Sequence, residues 1–176
     1  MLAFPGREVP VGACGMIPPM NGRIAIVGAG FAALSAARRL RRLDPEVAIT
    51  LVAPRPELVF LPSLIWIPSG KRRSEDLVVP LERFFRRERI DFLAAEANGL
   101  ADGGRNLLTS AGPVANDGLI LACGGRFLKK LPGIEHAVTP CEGIAAAEKI
   151  RDRVAALQEG TVALGFAGNP QEPTAM

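Results

Sequence analysis

A chain of 176 residues with 48% hydrophobic and 22% charged side chains can bury one substantial core, and no apolar run reaches the roughly 20 residues of a membrane-spanning helix. A formal charge of +3, one tryptophan and no tyrosine make little case for a DNA or RNA surface. Three cysteines, Cys14, Cys123 and Cys141, have neither metal-ligand spacing nor the density of a disulfide scaffold, so no metal site is expected and a reducing compartment fits.

Residues 1–20 are rich in proline and glycine and lack the charged start and unbroken apolar core of a signal peptide. They read as a flexible extension, with Met16 or Met20 as alternative starts. From Arg23 the chain reads as a buried strand, a glycine turn at Gly28-Ala29-Gly30 and a helix running from the turn to Leu43. A helix opening from such a turn offers unpaired N–H groups and a partial positive charge, which suits a dinucleotide pyrophosphate. Gly28 would permit the tight turn, Gly30 would let backbone approach the phosphates, and Ala33 would let the helix pack close to the strand. The competing reading is a glycine turn in an ordinary α/β domain. The apolar strand before it and the small and apolar helical positions after it favour the nucleotide. A second strand, Val47–Val52, follows a break at Asp44-Pro45. Arg38, Arg39, Arg41 and Arg42 sit where basic residues complement a helix C-terminus, so a solvated helix end explains them.

The stretch from Ala53 to Gly70 is apolar, yet its prolines preclude a long regular element. Phe60, Leu64, Ile65 and Trp66 must therefore lie against either a flat cofactor or the domain core. Pro80–Arg89 reads as a short helix, and its Phe84 and Phe85 are expected to pack on the domain, although arginines interleaved with them also suit an anionic membrane surface. The strand Ile90–Ala95 comes next. Asp102-Gly-Gly-Arg105 marks a hairpin between 96–100 and 106–110, and the strand Gly118–Ala122 ends at Cys123-Gly-Gly125. Thr139-Pro-Cys-Glu142 has the form of a capping box with proline at the first helical position, predicting a helix to about Glu159 that stops at Gly160. That helix would place Cys141 in its first turn, where its field favours a thiolate. A reactive thiol and a small buried side chain are both compatible with the position. Thr161–Gly165 then reads as a strand followed by a glycine turn and no helix, like the start of a second βαβ unit that stops short.

These stretches resemble the N-terminal part of the pyridine nucleotide-disulfide oxidoreductase superfamily, and within it the sulfide:quinone oxidoreductases and flavocytochrome c sulfide dehydrogenases. The resemblance runs from about Asn21 to Gly168. It rests on the GAGFAA turn, the segment FLPSLIWIPSG, the strand end NDGLILACGG with Leu131-Pro-Gly133, and a cysteine after His136-Ala-Val-Thr-Pro. It implies an α/β fold: a Rossmann-like FAD-binding domain over 21–160, with a parallel sheet and a small antiparallel three-stranded excursion. Residues 161–176 would begin a truncated second dinucleotide-binding-like domain.

The resemblance places the FAD pyrophosphate at Gly28, Ala29, Gly30, Phe31 and Ala32, and its ribose near Ala53, Pro54 and Arg55. Adenine falls near Glu96 and Ala97, and the riboflavin side near Pro62, Ala122, Cys123 and Gly124. Two departures are visible. Ala53 stands where many such folds have an acid for the ribose hydroxyls, and Cys123 stands where threonine is common.

The chemistry implied is sulfide oxidation: sulfide adds to sulfur held at the catalytic Cys141, two electrons pass to FAD, and a quinone or cytochrome reoxidises it. The family's partner thiol belongs to a C-terminal half beyond this stretch. Alternatives are an NAD(P)H-dependent flavin oxidoreductase of the type II NADH dehydrogenase kind, and a truncated nucleotide-binding module without turnover. The resemblance also allows a homo-oligomer, and either a cytoplasmic location or peripheral contact with the inner face of the cytoplasmic membrane.

Overall fold

The computed structural model describes residues 22–125 and 132–165. Strands β1 (Arg23–Val27) and β2 (Ala48–Ala53) flank helix α1 (Phe31–Leu43). Next come β3 (Glu57–Val59), β4 (Val78–Pro80), α2 (Glu82–Glu88) and β5 (Ile90–Ala94), then β6 (Ala97–Ala101), β7 (Asn106–Thr109), β8 (Gly112–Ala115) and β9 (Gly118–Leu121), and finally α3 (Ile144–Ala156). The main sheet has the order β5-β2-β1-β9, with all neighbours parallel and Val27 level with both Val52 and Leu121. Parallel strands covered on both faces read as nearly continuous apolar runs, and IAIV in β1 is buried throughout.

Alternate residues of these strands feed two cores. Ile24, Ile26, Ile49 and Leu51 point to the face covered by α1 and α2, where they meet Ala33, Ala37, Leu81 and Phe85. Ala25, Val27 and Val52 point to the other face and meet Leu107 and Val114 of the antiparallel β6-β7-β8 sheet. The fully buried Ala33 and Ala37 let α1 lie close on the sheet. Phe85 stacks on Phe92 at 5.0 Å between centroids, as expected of a core ring, and Phe84 packs beside it.

Three local expectations are corrected. The proline-rich stretch is more ordered than its composition suggested: Glu57–Val59 pairs antiparallel with Val78–Pro80, and Leu61–Trp66 forms a 3-10 turn. From that turn only Leu64 is buried, with the following Ile67, in a satellite core that also holds Leu77 and Ala147; Phe60, Ile65 and Trp66 stay exposed. The predicted helix over 140–159 is split. Pro140–Glu142 forms a 3-10 turn, Gly143 breaks it at φ 117°, and α3 ends at Ala156. Thr161–Gly165 forms no strand, because no described strand lies alongside to complete its hydrogen bonds, and Leu164 is 95% exposed. The expected extension 1–20 and the turn after Gly165 lie outside the described residues, as does Leu131.

Two charged groups tie the elements together. Arg41 was read with its neighbours as a solvated helix end. Its guanidinium instead donates to four carbonyls: Glu88 O and Arg89 O at 2.8 Å, and Pro45 O and Val47 O at 2.7 Å. Asp117, before β9, accepts from the backbone N–H of Arg23 at 2.9 Å and pairs with its side chain at 3.4 Å. The Arg23 backbone and side-chain hydrogen bonds hold the Asp117 carboxyl below the usual carboxylate range. A depressed folded pKa stabilises above the unfolded value of about 4, and that contribution is lost as pH falls through the lower folded value. Asp117→Asn is therefore expected to narrow the gap between melting temperatures at pH 7 and pH 3; an unchanged gap would remove Asp117 from the acid response.

Candidate functional site

The C-terminal ends of the four parallel strands converge on one cleft of about 830 Å³, within the range of roughly 300–1,000 Å³ usual for small-molecule sites. Val27 to Gly30 enter from β1, Val52 to Arg55 from β2, Ala95 to Ala97 from β5, and Leu121 and Cys123 from β9. Strand order reverses at β1, since β2 leaves on one side and β9 on the other. Open α/β sheets bind ligands in the crevice at such a switch point. The strand ends are tied to one another: Gly28 N donates to Val52 O at 2.8 Å, Ala122 N to Val27 O at 2.8 Å, and Ala95 N to Ala53 O at 3.1 Å.

The two glycines of the turn answer to different demands. Gly28 has φ 110°, and a Cβ there would lie 2.3 Å from the Ala122 carbonyl oxygen. The protein itself requires glycine at that position. Gly30 is the N-cap of α1 with φ −82°, and a Cβ there would meet nothing within 4 Å. Packing within the chain leaves Gly30 free to vary, whereas a guest approaching the helix N-terminus would meet any added side chain. No side chain caps α1, and no acid stands in its first turn. Its leading N–H groups and positive end are thus left for an anion.

Of the residues expected at a nucleotide, the cleft brings together Gly28, Ala29, Gly30, Ala53, Pro54, Arg55, Glu96, Ala97 and Cys123. Phe31, Ala32, Pro62, Ala122 and Gly124 are not part of its wall. Phe31 instead sets its ring edge-on to Phe60, 5.8 Å between centroids. Ala122 supplies the carbonyl that crowds Gly28. The walls therefore unite the residues expected at the adenosine diphosphate portion of a dinucleotide except Phe31 and Ala32, and reach the riboflavin side only at Cys123, with Leu61 and Leu121 nearby in the lining.

Glu57, Leu58 and Val59 also line the cleft and were not foreseen, because β3 was read as irregular. The alternation within Glu-Leu-Val was its only signal. Glu57 pairs with Arg55, Oε1 to Nε at 2.8 Å.

Cys141 is exposed and lies outside the cleft wall. Because Gly143 starts α3, the thiol belongs to the preceding 3-10 turn and does not occupy the first turn of the helix. The turn is pinned by Thr139, whose Oγ1 accepts from Cys141 N at 3.3 Å. It packs against the Leu61–Trp66 turn, which contributes Leu61 to the cleft. His136 is exposed and pairs with Glu135 at 3.6 Å.

Known proteins share this fold and sequence pattern. A sulfide-quinone reductase from Aquifex aeolicus is 28% identical over 141 residues, covering 80% of this chain and 32% of the relative. The solved structure of the sulfide:quinone oxidoreductase from that organism superposes with a TM-score of 0.68 at 26% identity, over 76% of this chain and 31% of that one. The flavoprotein chain of a flavocytochrome c sulfide dehydrogenase from Chlorobaculum thiosulfatiphilum is 45% identical over 40 residues, 23% of this chain and 83% of the relative. A type II NADH:quinone oxidoreductase from Mycobacterium tuberculosis is 33% identical over 72 residues, 41% of this chain and 15% of the relative. The chain thus spans about a third of the length of the sulfide-quinone reductase it matches. The family model described as pyridine nucleotide-disulphide oxidoreductase matches residues 22–164, which takes in the glycine turn, all four parallel strand ends and the cleft between them, and the chain belongs to that family.

Proposed function

We propose that this chain is the FAD-binding part of an oxidoreductase that oxidises sulfide and delivers the electrons to a quinone or a cytochrome. The observation that carries the flavin reading is the cleft at the strand ends, with Gly30 open and the α1 N-terminus uncapped above it. The likeness to sulfide-quinone reductase over 80% of the chain supports the choice of donor. On this reading the stretch from 21 to 160 is one dinucleotide-binding unit. The reading takes in either a cytoplasmic location or peripheral contact with the inner face of the cytoplasmic membrane; among the described residues no helix is long and apolar enough to cross a membrane.

The α1 N-terminus and the Gly28–Gly30 backbone hold the diphosphate, with Phe31 and Ala32 supplying first-turn N–H groups. Ala53, Pro54 and Arg55 bound the ribose, while Glu96 and Ala97 border the adenine. Pro62, Ala122, Cys123 and Gly124 border the riboflavin side. FAD, when bound, supplies a two-electron acceptor. The Cys141 thiol is accessible to dissolved sulfide; joining the two sulfurs as a persulfide would release two protons and the electron pair that FAD, when bound, accepts, and Thr139 fixes the backbone of the turn.

Anaerobic addition of sulfide to the FAD-loaded chain is expected to bleach the flavin absorbance, and Cys141→Ser to slow that bleaching at least about 100-fold, the scale of losing a covalent nucleophile. The likeness to a type II NADH:quinone oxidoreductase over 72 residues supports a second reading. Bleaching by NADH, unaffected by Cys141→Ser, would replace sulfide chemistry with that one. Bound flavin that neither donor reduces would leave a nucleotide-binding module.

A further inference from the structure

The end of β2 carries Ala53, so the cleft lacks an acid at the position where one commonly receives the ribose hydroxyls. An acidic residue from the next strand nevertheless belongs to the same wall. Glu57 opens β3, where it is held opposite Pro80 of β4, and it lines the cleft with Ala53 and Pro54. The segment leading to it is stiff. Pro54 and Pro56 fix their own φ on either side of Arg55, and Pro56 O accepts from Leu81 N at 2.9 Å. Arg55 Nε meets Glu57 Oε1 at 2.8 Å.

Stability does not account for this pair. Arg55 is 74% exposed and Glu57 26%, and ion pairs at such exposure contribute little to folding. Its consequence is positional: Arg55 engages one carboxylate oxygen of a residue that lines the cleft.

We propose that Glu57 takes the place of the missing β2-end acid and selects ribose at the adenosine end of the ligand, with Arg55 holding its carboxylate. An ionised carboxylate only accepts hydrogen bonds, and a ribose 2′-hydroxyl donates one. The inference rests on the reading of the cleft as an FAD site, and extends it to a residue outside the glycine turn.

The test compares ADP with 2′-deoxy-ADP by calorimetric titration of the full chain, in the wild type and in Glu57→Ala and Glu57→Gln. Thermal melts first establish that the variants are folded. Wild type is expected to bind ADP about tenfold more tightly than 2′-deoxy-ADP, the scale of one hydrogen bond to a charged group. Glu57→Ala should bring the ratio to about one. Glu57→Gln, which keeps an acceptor without the charge, should fall between.

A merely structural role for Glu57 would weaken both ligands together and leave the ratio near ten in the variants, which would overturn the proposal while leaving the FAD reading intact. A wild-type ratio near one would do the same. Failure of the wild type to bind either FAD or ADP would overturn both.

Discussion

Gly28→Ala is expected to destabilise the fold by about 3 kcal/mol or more, because two penalties coincide. A side chain at φ 110° is strained wherever it points, and here the new methyl would also stand 2.3 Å from the Ala122 carbonyl oxygen. That carbonyl belongs to backbone tied to β1 through Ala122 N and Val27 O, so it cannot retreat without breaking the pairing of β1 with β9. Urea unfolding followed by circular dichroism measures the loss.

Gly30→Ala serves as the contrast. Alanine is a poorer N-cap than glycine, a cost within about 1 kcal/mol, and the open space around the Cβ adds no clash. Stability should therefore be nearly kept, while FAD affinity falls about tenfold or more as the methyl intrudes on the diphosphate. Equal losses of stability in the two variants would contradict the division of labour between the glycines.

Arg41→Met is the second large effect, at about 2–4 kcal/mol. The guanidinium holds the last carbonyls of α2, at Glu88 and Arg89, together with the loop carbonyls of Pro45 and Val47 that lead into β2. Hydrogen bonds to a charged donor contribute about 1.5–3 kcal/mol each, but the carbonyls lie near the surface and regain water when the arginine is lost, so the net effect is well below their sum. Methionine keeps much of the apolar stem and isolates the loss of the guanidinium. Arg42, exposed and adjacent, is the control: Arg42→Ala should shift stability by no more than about 0.5 kcal/mol. If both substitutions had the same small effect, Arg41 would be an ordinary surface residue.

The parts legible in the sequence were those whose cause is local. A strand buried on both faces shows as the run Ile24–Val27, and the turn that follows shows its glycines, so the β1-turn-α1 unit and its cleft could be placed in advance. The pairing of β3 with β4 was hidden because Val59 meets Val78 across nineteen positions of sequence that include a 3-10 turn, and three-residue strands carry too little periodicity to be seen. That missing strand is also why Glu57 was overlooked. The sequence Thr139-Pro-Cys-Glu suits a 3-10 turn as well as an α-helix start, and the deciding residue was Gly143, whose positive φ separates the two. Arg41 is indistinguishable from Arg42 in a basic run; only the folded distances single it out.

On the function proposed above, the cleft at the strand ends holds the adenosine diphosphate portion of a dinucleotide. The most direct measurement of that claim is flavin retention: the chain is incubated with FAD or with FMN, desalted, and read by visible absorbance, with ADP added as competitor. FAD retained, FMN lost and FAD displaced by ADP is the predicted result. Equal retention of both flavins, or FAD that ADP fails to displace, would contradict a site built around the diphosphate and the Gly28–Gly30 turn.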